Sequence, residues 1–124
     1  MITTATATVW KDQHNVIHFV TTSTRQTLAD AHENVRAIGQ FTNSVPHRVL
    51  VDMRSVAIVP DDVQTLYAGP MASSGSIGVA LITGSASQMA ENMLFVQGYH
   101  PRTMIQIFTE AEDAVAWLRS LPDQ

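Results

Sequence analysis

The chain has 124 residues, 45% of them hydrophobic and 15% charged, with a formal net charge of −4. That length suits one compact domain burying roughly two-thirds of its unfolded surface, and the composition is not that of a disordered chain. With seven basic and eleven acidic residues, a single lysine (Lys11) and no cysteine, the sequence excludes disulfides, thiolate nucleophiles and cysteine-ligated metals. The same lack of clustered positive charge argues against nucleic acid and anionic membrane surfaces as partners.

The amino-terminal segment has no basic region followed by an apolar one, and strongly apolar runs such as "VALI" at 79–82 are far too short to span a bilayer. Neither a signal peptide nor an integral membrane span is expected, and the expected location is the cytoplasm. In chain order, "TATATVW" at 4–10 reads as a strand with small residues on one face, at a sheet edge. Turn formers follow in "KDQHN" at 11–15, then a second strand, "VIHFVT" at 16–21, so an antiparallel hairpin is expected. Leu28, Ala31, Val35 and Ile38 then recur at helical spacing. "TLAD" at 27–30 opens that helix as a capping box, with Thr27 as the cap and Asp30 against the positive helix end.

From there strands and helices alternate. "RVLVDM" at 48–53 is a strand, and Pro60 takes the first position of a helix over 60–69 that Pro70 ends or kinks. "SIGVALIT" at 76–83 is apolar at successive positions, as suits a parallel strand covered on both faces. "SASQ" at 85–88 caps a helix through about Val96, and "MIQIF" at 104–108 is a strand. "TEAE" at 109–112 is a third capping box, opening a helix with Ala111, Ala114, Val115, Leu118 and Leu121 on its inner stripe. The order β-β-α-β-α-β-α-β-α implies a mixed, mostly parallel five-stranded sheet with an antiparallel amino-terminal edge strand, in one domain over 1–124.

Three segments carry a family resemblance: the hairpin followed by "TLADAHENVRAIG", the strand "RVLVDMRSVAIV" leading straight into a helix, and the ending "IFTEAEDAVAWL". With this element order the chain resembles the SpoIIAA-like, or STAS-like, superfamily of small α/β domains typified by anti-sigma factor antagonists. The resemblance covers nearly the whole chain, and it implies a bacterial regulatory protein that works by protein binding. Phosphorylatable members carry a strand-end Asp and, about eight residues on, an Asp-Ser-Ser-Gly-like element whose first Ser takes the phosphate. Here Asp52 matches the strand-end acid, and the element falls on "PDDV" at 60–63. Asp61 stands where the phosphoacceptor would be and Asp62 where the next Ser would be, so the resemblance does not carry a phosphorylation cycle to this chain.

Read from the residues alone, Asp61 and Asp62 are first-turn carboxylates, which stabilise a helix by about 0.3–1 kcal/mol each. Their functional reading is a charged docking point. Adjacent helix positions diverge by about 100°, which argues against a paired-carboxylate mechanism. Asp52 ends a parallel strand, on the edge where ligands of α/β sheets collect, together with Thr21, Thr22, Arg54, Ser55, Thr83, Ser85 and Thr109. Arg54 and Ser85 are the strongest binding candidates among these polar strand ends. "TGSAS" at 83–87 has the glycine spacing of neither nucleotide-binding loop. The histidines do not form a metal site by spacing: His14 and His18 would lie about 13 Å apart along a strand, His47 and His100 flank prolines, and His32 sits beside a helical stripe. No metal or other cofactor is expected.

In "MAENMLFVQGYHP", Met89, Met93 and Val96 would face the sheet, leaving Leu94 and Phe95 toward another face, with Tyr67 and Met71 on the preceding helix nearby. That excess apolar width suggests a homodimer contact or an apolar ligand. The leading expectation is therefore a non-catalytic module that binds a regulatory protein and forms a homodimer. A small apolar-ligand carrier is the alternative, and an enzyme using Asp52 or Asp61 is the weakest reading.

Overall fold

The computed structural model describes residues 1–23, 25–42, 47–55, 62–63, 66, 76–84 and 104–122. Within them lie six strands, β1 (Ile2–Thr3), β2 (Ala7–Lys11), β3 (Val16–Thr21), β4 (His47–Asp52), β5 (Ser76–Ile82) and β6 (Met104–Phe108), and two helices, α1 (Leu28–Gly39) and α2 (Ala111–Ser120). The strands form one sheet in sequence order. The pairs β1–β2 and β2–β3 are antiparallel, and β3–β4, β4–β5 and β5–β6 are parallel. This is the expected mixed α/β sheet with its antiparallel part at the amino-terminal edge.

The sheet has six strands rather than the expected five. The alternating Thr-Ala segment does not run as one strand from residue 4, because Thr4 turns the chain. Its amide donates to the Ala7 carbonyl at 2.8 Å, and its hydroxyl accepts from the Ala7 amide at 3.0 Å. A threonine hydroxyl that satisfies nearby backbone in this way competes with the ladder. The chain folds back, and Ile2 pairs with Val9.

Strand alternation places the two helices on opposite faces. On one, Ala114, Leu118 and Leu121 of α2 and its C-cap pack on Val16, Leu50, Ala80 and Ile82. On the other, Ala37 of α1 packs with Ala7, Val9, Ile17, Phe19 and Val49. That second face continues toward β6 through Met53 and Leu81, with Val51, Val79, Ile105 and Ile107 half-buried around them. β5, central to the parallel part, is buried at Ile77, Ala80, Leu81 and Ile82, as its continuous apolar pattern requires.

The Thr27 capping box is present in both directions: Asp30 N donates to Thr27 Oγ1 at 3.2 Å, and Thr27 N to Asp30 Oδ2 at 2.9 Å. The expected box at 109–112 does not form. The N-cap of α2 is Glu110, with no side-chain cap bond, so Thr109 lies one residue too early to reach the helix amides. The inner stripe of α1 is also rotated from the apolar expectation: Leu28 is 38% exposed, whereas Asn34 is fully buried. Of the helices expected over 60–69 and 85–96, only Asp62, Val63 and Leu66 fall within the described residues, and these three are helical. Among the described residues, no helix is long and apolar enough to cross a membrane.

Candidate functional site

The carboxyl ends of the parallel strands carry the candidate site. Asp52 is the last residue of β4, and its carbonyl accepts from the Thr21 hydroxyl of β3 at 2.8 Å. The chain turns immediately after it: the Arg54 amide donates to Asp52 Oδ1 at 3.0 Å. The Arg54 guanidinium then folds back as a fork, Nε to Oδ1 at 3.0 Å and Nη2 to Oδ2 at 2.6 Å. The carboxylate is 13% exposed and the arginine side chain 52%. Gly84, two residues past β5, lies under the arginine stem, where an added Cβ would stand 3.4 Å from Arg54 Cγ.

Burial of Asp52 pushes its pKa up, but the Arg54 hydrogen bonds, side chain then backbone, and the guanidinium charge outweigh it, so the carboxyl lies below its ordinary value. The same bonds and charge, with a contribution from Glu110, hold Arg54 above its ordinary value. A bidentate charge-assisted pair of this kind is geometrically specific. It also occupies both carboxylate oxygens, so Asp52 is poorly placed to abstract a proton. Beside it, the Met53 amide bonds the Ile82 carbonyl and the Thr83 amide bonds the Phe108 carbonyl, each at 2.9 Å, closing the edge. The Thr83 hydroxyl is buried and, among the described residues, has no hydrogen-bond partner. Ser55 and Thr109 are exposed, and the Thr22 amide donates to the Thr6 carbonyl at 2.8 Å.

Of the residues singled out from sequence, the structure joins Asp52 and Arg54. Asp62 is exposed and helical, and its Oδ1 accepts from the neighbouring Val63 amide at 2.8 Å. That bond is the helix-start use of a first-turn acid. No hydrogen bond or ion pair joins Asp62 to Asp52 or Arg54. Asp61 and Ser85, and the apolar candidates Tyr67, Met71, Leu94 and Phe95, lie outside the described residues.

A second polar constellation lies at the opposite end of the sheet. Asp12 closes the β2–β3 turn, its Oδ1 accepting from the amides of His14 at 2.8 Å and Val16 at 3.1 Å. Its Oδ2 contacts His18 Nε2 at 2.8 Å. Trp10, opposite His18 in the hairpin, stacks on that imidazole with centroids 4.9 Å apart. Burial raises the Asp12 pKa, but the His18 hydrogen bond, the two amides and the His18 charge outweigh it and leave the group below its ordinary value. The available signal was an Asp opening a turn that also contains Asn15, which takes a left-handed φ of 63°. Among the described residues, no three histidine or carboxylate groups gather as metal ligands.

The fold is similar to the crystal structure of an uncharacterized protein from the DUF3478 family with a SpoIIAA-like fold from Shewanella loihica PV-4. The TM-score is 0.66 at 16% identity, covering 95% of this chain and 98% of that one. At that identity the likeness establishes the fold, and this chain has a SpoIIAA-like α/β fold. No curated protein matches the chain in sequence. Residues 9–122 match the family described as Domain of unknown function (DUF7793), and the chain belongs to that family.

Proposed function

We propose that the protein is a cytoplasmic, single-domain, non-catalytic module that acts by binding another protein and is not switched by phosphorylation. The observation that carries this reading is the closed Asp52–Arg54 pair. It holds a half-exposed guanidinium in one orientation at the sheet's carboxyl edge while tying up the acid a catalytic reading would use. The sequence supports a constant rather than a switched edge, because Asp61 and Asp62 stand where the resembling family has hydroxyls. In this reading Asp52, Arg54, Asp61, Asp62 and Ser85 form the charged docking edge.

The test is crosslinking in the host cells followed by quantitative mass spectrometry, comparing wild type with Arg54→Glu and Asp62→Lys. Arg119→Glu, on the last turn of α2, serves as a charge-matched control. A specific partner should be recovered with wild type and with the control and fall about tenfold with the edge variants, the effect of one lost charge pair at an interface. Equal recovery with all four proteins, or a turnover that Asp52→Asn abolishes, would overturn the reading.

One observation favours the apolar-ligand alternative: Val51, Val79, Ile105 and Ile107 remain half-buried around Met53 and Leu81. A carrier should show bound mass in native mass spectrometry and a thermal shift with oleic acid, since a ligand bound to the folded state alone raises apparent stability. Absence of both removes the carrier reading.

A further inference from the structure

The two edges of the sheet are unequal. β1, at one edge, is two residues long. β6, at the other, is five residues of "MIQIF" in unbroken register with β5, without charge, proline or bulge. Edge strands are ordinarily blunted by those devices or by shortness, because open N–H and C=O groups template pairing with another chain. β1 is blunted; β6 is not. Met104 is 55% exposed and Gln106 is exposed as well.

Which backbone groups are open follows from one bond. The Thr83 amide donates to the Phe108 carbonyl, so Phe108 turns its backbone groups toward β5. By alternation Gln106 and Met104 do the same, and Ile105 and Ile107 turn theirs outward. Among the described residues nothing pairs with them.

We propose that β6 pairs with β6 of a second copy, antiparallel about a twofold axis through Gln106, to form one continuous sheet across a homodimer. An antiparallel twofold must set outward-facing residues opposite outward-facing residues, so its axis passes through a residue, and Gln106 is the centre of the strand. In that register Ile105 and Ile107 of the two copies exchange their N–H···O bonds as hydrogen-bonded pairs, and their side chains meet on one face. Met104 meets Phe108 of the other copy on the opposite face, where the two Gln106 amides lie side by side in the closer, non-hydrogen-bonded spacing.

The charges favour a second copy as occupant. Each chain carries a net −4, yet the strand itself is uncharged, so two copies approach there without like charges meeting. A twofold also closes both long edges and leaves only the two-residue β1 edges open, which ends the assembly at two copies. A five-residue edge is small beside a standard interface of about 800 Å² per partner, so the dimer is expected to dissociate in the micromolar range. This inference is independent of the carboxyl-edge docking reading.

Sedimentation equilibrium from about 1 to 500 μM tests it. Wild type should pass from monomer to dimer over that range. Gln106→Lys and Gln106→Glu each set like charges opposite each other and should weaken association at least about tenfold, whereas mixing the two variants should restore a dimer. Ile107→Pro removes an outward amide that β5 does not use, a position where an edge strand tolerates proline, and should give a folded monomer. Circular dichroism and urea unfolding report whether each variant is folded. A wild type monomeric throughout overturns the proposal. So does a dimer that the Gln106 charges and Ile107→Pro leave unchanged, or charge variants that fail to recombine.

Discussion

The two helices are fixed to the same sheet by different means. On the α1 side the anchor is polar. Asn34 is fully buried and joins both threonines of the amino-terminal turn, Thr4 Oγ1 donating to its Oδ1 at 2.5 Å and its Nδ2 donating to Thr6 Oγ1 at 2.9 Å. Glu33 adds a bond from the Ala5 amide at 2.9 Å. On the α2 side the anchor is volume and one charge. Gly78 of β5 lies so close beneath Leu121 that an added Cβ would collide with its Cδ1, and would come within 3.5 Å of Trp117. Arg48 of β4 reaches under the end of the helix, Nε donating to the Leu118 carbonyl at 2.7 Å and Nη2 to the Leu121 carbonyl at 2.6 Å. A guanidinium there satisfies orphan carbonyls and opposes the negative helix end. Hydrogen bonds fix direction, so the α1 side specifies where the short edge folds back. Close packing has little directional preference, so the α2 side relies on fit and on the arginine for register.

Filling Gly78 should break the α2 side most severely. Gly78→Val forces Leu121 and Trp117 away from the sheet and is expected to cost about 3 kcal/mol, the upper range for an overpacked core. Urea unfolding measures it; a change below about 1 kcal/mol would mean that the helix end relaxes freely. Next comes Asn34→Ala, which leaves the buried Thr6 hydroxyl and the Thr4 hydroxyl without their partner and should cost about 2 kcal/mol. Arg48→Met keeps the apolar stem and loses two charge-assisted bonds, for about 1.5 kcal/mol. Because Asn34 and Arg48 act on opposite faces, the double variant should be additive within about 0.5 kcal/mol. A larger coupling would show that the sheet transmits strain between the faces.

These anchors explain what could be read from the sequence and what could not. The strands within the described residues, the apolar stripe of α2 and the Thr27–Asp30 box are local, set by residues within one or two turns, and they appear where the periods placed them, whereas the stripe of α1 is rotated. Asp52 at a strand end is local too. The sixth strand was hidden because Thr4 looks like one more member of an alternating strand until its hydroxyl takes the Ala7 amide. Asn34 was passed over because a polar residue inside an apolar stripe is ordinarily solvent-facing, and its partners lie 30 and 28 residues away. Arg48 bonds carbonyls 70 and 73 residues on, which no spacing rule reaches. The openness of β6 depends on strand order, which the alternating pattern leaves undetermined.

The smallest effect concerns the two closing acids, Asp52 at the carboxyl edge and Asp12 at the hairpin. Asp52 accepts one backbone amide and Asp12 two, each also accepts a side-chain donor, Arg54 in one case and His18 in the other, and each is held below its ordinary pKa. A carboxyl whose folded pKa is depressed contributes stability that is fully present above the ordinary carboxylate range, about pH 4, and is lost as the pH falls through the depressed value. Asp52→Asn should therefore cost about 0.5–1 kcal/mol at pH 7, the scale of a partly exposed ion pair. The difference from wild type should shrink as the pH falls through the depressed value, where the native carboxyl protonates and resembles the amide. Urea unfolding of both proteins at about pH 7 and along an acid series checks this. A difference that persists unchanged at low pH would mean that Asp52 acts through packing and turn geometry instead of charge. Asp12→Asn should follow the same pH course without touching the carboxyl edge. It thus separates loss of a closing acid in general from loss of the Arg54 orientation on which the docking reading depends.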